Sequence, residues 1–470
     1  MPTPGRWIDR AREALDGLAL HELTAAGVLL PDERFFPTIT YPPITMYPAA
    51  DPDTLFDGQS LPPEIPNAAY VHVPFCSFSC AYCHWVKTIG AGAEQIDDYL
   101  DLLEAEMALA VGRLGVDRLP ISTVLFGGGT PTYPTLDRLE RLLDIFDAHF
   151  DLSSCRQFSF EAEPASLLGD EGLAKLRLLR ERGVDRISVG VQSFLDPVLQ
   201  RMGRHHSGDQ ALRAIEQIRK AGIGSISIDL IYGYPGQSEE DWIRTIQLAI
   251  DSGVDAWHLY RLRVKRHGDV EGAINKEFRR TREQFPDRAT IHRMKMVGWL
   301  MSLDHGFGQY FTRIFCSGQQ HVTQFMWDYC CNLTNVVGTG PSAWSNYHRT
   351  FTLNAGADRE MYRRRVLAGR LPVDRGVVRD LDHEARRSLI LPLKNDRVYR
   401  RRFQARTGLD LERTFGPELD RLRDLGLLDR DERSVFLTDR GRFVADEAMM
   451  QLYHRRYLPF PEVAHDRMPD

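Results

Sequence analysis

The chain has 470 residues, 43% of them hydrophobic, which is enough for one large core with a smaller domain beside it. A net charge of −6 leaves no electrostatic footprint for nucleic acid, and no apolar run reaches the roughly 20 residues of a membrane span. Seven cysteines, an odd number without paired spacing, point to a reducing compartment rather than a disulfide framework, and Met1-Pro2-Thr3-Pro4-Gly5-Arg6 lacks a signal-peptide core, so a cytoplasmic protein is expected.

Residues 1–68 read as an N-terminal arm, with a helical pattern near Ile8 to Ala26 and a proline-rich, aromatic stretch from Phe35 to Pro48. From Ala69 onward strands and helices alternate. Strands are predicted at Tyr70–Phe75, Ser122–Phe126, Gln157–Ala162, Arg186–Val191, Ser225–Ile231 and Ala256–Tyr260; helices fall at Asp97–Leu114, Leu136–Phe150, Gly172–Glu181, Asp209–Ala221 and Glu239–Ser252. Such a run predicts an α/β fold: a parallel sheet with right-handed crossovers, curved into an open six-unit barrel over residues 69–265 with helices on its outer side. Residues 266–375 then extend the barrel and supply a lid. Over residues 376–470, helical patterns from Arg386 and Leu409 and a hairpin near Leu427–Thr438 suggest a small winged-helix-like domain. Overall acidity argues against reading it as a DNA-binding module.

Chemistry-bearing residues collect at the predicted carboxyl ends of the strands, where parallel β/α folds gather ligands. Strand one is followed by Cys76-Ser77-Phe78-Ser79-Cys80-Ala81-Tyr82-Cys83, strand two by Gly127-Gly128-Gly129-Thr130-Pro131-Thr132. Glu161 and Glu163 end strand three, Gln192 and Ser193 strand four, Asp229 and Tyr232 strand five, and Tyr260, Arg261 and Arg263 strand six. Three thiols at this spacing satisfy three irons of a cubane cluster and leave the fourth iron open. The spacing serves equally for a zinc site completed by His84. Any one strand-end residue could instead cap a loop or pair with a neighbour; six occupied ends together favour a site.

With the glycine run one strand after the cysteines, the chain resembles the radical S-adenosylmethionine (SAM) superfamily. The segments Tyr70–Cys76, Gly127–Thr132, Ser188–Ser193 and Ile228–Gly233 resemble, more narrowly, the oxygen-independent coproporphyrinogen III oxidase family. The resemblance spans roughly residues 34–455. It implies that Cys76, Cys80 and Cys83 ligate a 4Fe-4S cluster, and that Tyr70, Gly128, Glu161, Gln192, Arg204 and Asp229 hold the cluster-bound SAM. It further implies that Tyr82, Gly129, Thr130, Arg263 and Trp344 contact a second SAM molecule. Trp327 to Trp344 matches the family's loop that closes on that second SAM; adjacent Cys330 and Cys331 read as buried thiols, with Cys330 as a donor or radical partner the alternative. The basic run Arg261, Arg263, Lys265 and Arg266 suits a carboxylate or is solvated surface.

Three functions follow from the resemblance. One is radical methyl or methylene transfer to a small molecule, cyclopropanation included, with the second SAM as donor. The others are coproporphyrinogen III oxidation and a non-enzymatic haem chaperone of the same fold. A typical oxidase carries a fourth cysteine two residues after the third, where this chain has Trp85, so the first reading is preferred. A flavodoxin or ferredoxin-type electron donor, a small-molecule substrate and a monomer are expected.

Overall fold

The computed structural model describes residues 4–29, 40–56, 65–264 and 273–458. It opens on α1 (Pro4–Gly17). Six strands, β1 (Asn67–Val73), β2 (Thr123–Gly128), β3 (Gln157–Ala162), β4 (Arg186–Gln192), β5 (Ser225–Tyr232) and β6 (Ala256–Arg261), lie side by side in chain order. Every neighbouring pair is parallel. The crossovers are α2 (Ala93–Arg113), α3 (Leu136–His149), α4 (Gly169–Glu181), α5 (Gly208–Lys220) and α6 (Glu239–Asp251). The helices begin where capping residues dictate: Ser207 accepts from the Gln210 amide at 3.1 Å to start α5, and Ser238 from the Asp241 amide at 3.0 Å to start α6.

The strands have two unlike faces. Outward residues, such as Phe126, Phe160, Val189, Ile228 and Trp257, are completely buried beneath the helices. The inward residues near the carboxyl ends, Leu125, Glu161, Gly190, Asp229, His258 and Tyr260, all remain partly exposed. The barrel is therefore packed outside and hollow at its carboxyl end. Its opposite end is plugged by buried Asp328, which accepts from Arg156 at 2.6 Å and from Ser122 and Thr123 at 3.2 Å each.

The sheet continues beyond the six units. After α7 (Arg288–Asp304), the hairpin of β7 (Gly308–Phe311) and β8 (Ile314–Cys316) adds to β6. On the other edge β9 (Asn335–Thr339) pairs parallel with β1, followed by the antiparallel strands β10 (Trp344–Tyr347), β11 (Thr350–Asn354) and β12 (Val373–Val378). Within Trp327 to Trp344, expected as a closing loop, Asn335–Thr339 is a strand of the sheet and Asp328–Asn332 a helical turn. The described N-terminal residues pack on the elements of the sheet and its helices. α1 lies on α7, where Arg10 pairs with Asp304 at 2.6 Å, and Pro48 to Ala50 run along β12. The part of the aromatic stretch from Phe35 to Ile39 is outside the described residues.

The C-terminal elements are α8 (Leu381–Asn395), β13 (Arg397–Tyr399), α9 (Arg400–Thr407), α10 (Leu411–Asp424), β14 (Leu428–Arg430) and β15 (Ser434–Leu437). Their three strands form an antiparallel sheet in the order β13, β15, β14. This is the expected winged-helix-like arrangement.

Candidate active site

The cysteine loop lies over the open end of the barrel. Cys76 pairs with Ile89 in a short parallel ladder just beyond β1. The Ala81 amide donates to the Met202 carbonyl at 3.1 Å, and the Ile274 amide to the Ala81 carbonyl at 2.9 Å. Two side chains from the barrel reach the sulfurs: Thr130 Oγ1 donates to Cys76 Sγ at 3.7 Å, and Arg204 Nη1 to Cys80 Sγ at 3.3 Å. Burial pushes the Cys76 thiol up to about 12, so a bound metal must offset that cost to hold the thiolate. A cubane takes its cysteines at three separate irons; they need not converge on one point, and among the described residues no three His, Cys, Asp or Glu side chains do. His84, the fourth ligand in the zinc reading, places Nε2 at 3.2 Å from the Arg263 carbonyl.

The triple glycine has a steric reason at each position. A Cβ on Gly127 would stand 2.8 Å from Glu161 Oε2, one on Gly128 2.8 Å from the His72 ring, and one on Gly129 2.6 Å from the Phe75 carbonyl oxygen. Gly128 also has φ +109°. The glycines let β2 press against β1 and the cysteine loop, which brings Thr130 to Cys76.

Inside the hollow stand two carboxylates. Glu161 Oε2 accepts from the Gly128 amide at 3.3 Å, and Asp229 lies 3.3 Å from His258 Nδ1. Burial first, and Asp229's charge second, push Glu161 up to about 7; burial likewise raises Asp229 to about 7 against the pull of Arg186 and Arg313. His258 is held neutral by burial, so it does not discharge them. Two carboxylates facing a hollow with few donors call for a ligand rich in N–H and O–H groups. Gln192 sits at the mouth with φ +68°, in the left-handed region, where β4 loses register with β5. Arg204 bridges the loop to the barrel, with Nη2 donating to the Gly190 carbonyl at 2.7 Å.

Other expected positions have structural partners. The Tyr70 hydroxyl lies 2.9 Å from His72 Nδ1, and its ring stacks on Trp344 with centroids 6.2 Å apart. Trp344 therefore belongs to an aromatic wall with Tyr329 rather than to a loop. Tyr82 lies against Arg204 and Cys80. Arg263 is held low, at about 10, by burial. Tyr232 faces outward onto Trp242, Ser193 bonds Thr245 at 3.1 Å, and Glu163 accepts from Ser77 at 3.0 Å. Arg261 lines a small solvent-open pocket with Lys295, Arg313 and Asp446, while Lys265 and Arg266 lie outside the described residues. Cys330 is buried, its thiol pushed up to about 11 by burial.

Sequence reasoning missed Arg186, His258 and Glu106. Glu106 is buried and accepts from the Gly340 amide at 2.8 Å, Asn354 at 2.6 Å and Tyr362 at 2.6 Å, pinning the turn that leads to Trp344. Its signal was a charge on the apolar stripe of α2, between Leu103 and Met107.

The family model described as the radical SAM superfamily matches residues 70–249, and that described as the HemN C-terminal domain matches residues 380–444. The protein named heme chaperone HemW from Mycobacterium tuberculosis (strain H37Rv) is 31% identical over 398 residues, covering 83% of this chain and 95% of that one. This chain belongs to the radical SAM superfamily, in the HemN-like coproporphyrinogen oxidase family. The oxygen-independent coproporphyrinogen III oxidase of Pseudomonas aeruginosa is 26% identical over 411 residues, 84% of this chain and 86% of that one. The solved coproporphyrinogen III oxidase (HemN) of Escherichia coli shares the fold, with a TM-score of 0.76 at 23% identity over 88% of this chain and 96% of that one.

Membership brings a 4Fe-4S cluster and SAM, and the residues fit both: three thiols on one loop, a guanidinium and a hydroxyl aimed at two of the sulfurs, and a hollow with two carboxylates. Cys76, Cys80 and Cys83 would hold the cluster; when bound, it supplies one-electron reductive cleavage of SAM. Glu161 and Asp229 can accept from an amino group and hydroxyls, Arg204 fixes the loop against β4, and the plug at Asp328 closes the far end to bulk water.

Proposed function

We propose that this radical SAM protein handles a tetrapyrrole, and that haem binding, the activity in its relative's name, is the reading best supported. What carries it is the similarity over 83% of the chain to a protein named heme chaperone, at 31% identity. Trp85, two residues after Cys83 and 56% exposed, stands where a typical oxidase has a fourth cysteine, which weighs against the oxidase reaction. Titration of haemin into the reconstituted protein tests the reading: a saturable Soret shift at one haem per chain is expected. Unsaturable binding, with 5′-deoxyadenosine rising on addition of coproporphyrinogen III, would replace it with the oxidase reading.

A second reading, methyl or methylene transfer from a second SAM, has no support from the comparisons. It draws on one observation, that Tyr82, Thr130 and the Arg263 carbonyl all touch or neighbour the cysteine loop. S-adenosylhomocysteine formed together with 5′-deoxyadenosine would favour it.

A further inference from the structure

Where the C-terminal elements meet the sheet edge, three arginines surround one carboxylate. Arg379 follows β12, Glu384 and Arg387 lie on α8, and Arg406 lies on α9. Arg379 Nε donates to Glu384 Oε2 at 2.7 Å and Arg406 Nε to Glu384 Oε1 at 3.0 Å; Arg387 Nη1 is 3.8 Å from the same Oε1. Arg379 also donates to the His348 carbonyl. Against the effect of burial, the three guanidiniums hold Glu384 down to about 2. Three positive charges thus meet one negative charge, and two stay unmatched.

These groups have little access to water. Arg387 and Arg379 are 0% and 1% exposed and Glu384 3%, while the Arg406 side chain, at the edge, is 17% exposed. Beneath the guanidiniums are the rings of Phe351, 4.4 Å from Arg379, and Tyr329, 5.5 Å from Arg387. Around this point Arg387 Nε, Nη1 and Nη2, Arg379 Nη1, Arg406 Nη2 and Ser388 Oγ are buried with no hydrogen bond of good geometry, although the Tyr329 hydroxyl lies beside Arg387. Folded proteins leave few such atoms unsatisfied, and an unmatched buried charge is costlier still. All but one of these atoms belong to guanidiniums, which can only donate. The missing partner is an acceptor, and the excess charge makes it an anion.

We propose that this junction is a binding site for one small inorganic anion, held by Arg379, Arg387 and Arg406, that fastens α8 and α9 to the sheet edge. Chloride, phosphate and sulfate share the required chemistry and differ in size and in the number of oxygen acceptors. The site stands apart from the SAM chemistry, so its test does not depend on a loaded cluster.

The test is thermal unfolding of the whole chain, dialysed into gluconate, with sodium chloride, phosphate or sulfate added at constant ionic strength. The site predicts a saturable rise in the unfolding midpoint with at least one of the three, and the anion that saturates at the lowest concentration names the occupant. Arg406→Gln should raise the half-saturating concentration by about tenfold or more, while exposed Arg413→Gln leaves it unchanged. Arg387→Met should abolish the response and, with no anion present, unfold no earlier than the parent, because an apolar group replaces an unmatched charge. If Arg387→Met does not fold, Arg406→Gln decides. A rise that never saturates, or one equally strong in Arg406→Gln, overturns the proposal and leaves water as the partner of the arginines.

Discussion

Arg204 donates through Nη1 to Cys80 Sγ at 3.3 Å while its Nη2 donates to the Gly190 carbonyl of β4 at 2.7 Å. One planar side chain thus couples the middle cysteine of the loop to the barrel strand beside the hollow. Lysine cannot reproduce a two-pronged link of this kind. Both Arg204→Lys and Arg204→Met should therefore retain less iron after anaerobic reconstitution than the parent. Arg204→Met should also lose about 1.5–3 kcal/mol of ligand-free stability in urea unfolding, the usual worth of hydrogen bonds to a charged group.

Glu161 gives a pH signature. Its folded-state value of about 7 lies above that of an ordinary carboxyl, so the folded protein holds this proton more tightly than the unfolded chain. The stabilisation is fully present below the unfolded value and is lost as pH rises through about 7. Glu161→Gln removes the dependence. In ligand-free protein the stability of the variant relative to the parent should rise by on the order of 1–3 kcal/mol between about pH 5 and pH 8. Taking the difference cancels Glu106, which burial also raises to about 7. Chemical unfolding of both proteins at the two pH values measures it.

Gln192 holds a left-handed backbone conformation at φ +68°. That geometry costs a residue with a Cβ about 1–2 kcal/mol, and a non-glycine residue there at a ligand site suggests that the side chain is kept for binding. Gln192→Gly should unfold at an equal or higher urea concentration than the parent and bind SAM more weakly. Unchanged SAM affinity would remove Gln192 from the site.

Cys330 is buried in the turn beside the aromatic wall, with its thiol held protonated. Cys330→Ala should keep the parent's iron content and rate of SAM cleavage and lose about 1 kcal/mol of stability. A variant that bound iron normally but left SAM intact would restore the donor role.

The six parallel units were legible because each strand is a short segment carrying apolar residues at least at every second position, and amphipathic helical patterns separate the strands. Ser225 to Leu230 alternates polar and apolar residues, so its outward Ile228 and its inward Asp229 could be told apart once the parallel sheet was inferred. The cysteine loop and the strand-end carboxylates followed from the same pattern. β9 was hidden for a different reason. Asn335–Thr339 is short, ends beside Gly340, and pairs with β1 across more than 260 residues of sequence, so nothing local marks it as a strand. Tyr232 and Ser193 misled because strand-end position alone does not say which face a side chain takes, and a step of one residue turns it from the hollow to the helices. The arginines around Glu384 look like ordinary surface charges in the sequence and became a cluster only when α8 and α9 were packed against the sheet edge.

Alongside haem binding, we propose that the cysteine loop and the hollow beneath it cleave SAM reductively. The direct measurement is mass spectrometry of the nucleosides formed when the anaerobically reconstituted, reduced protein is given SAM, with Cys80→Ala alongside. 5′-Deoxyadenosine is expected from the parent and none from the variant. Equal amounts from both, or none from a parent that carries an intact reduced cluster, would contradict it.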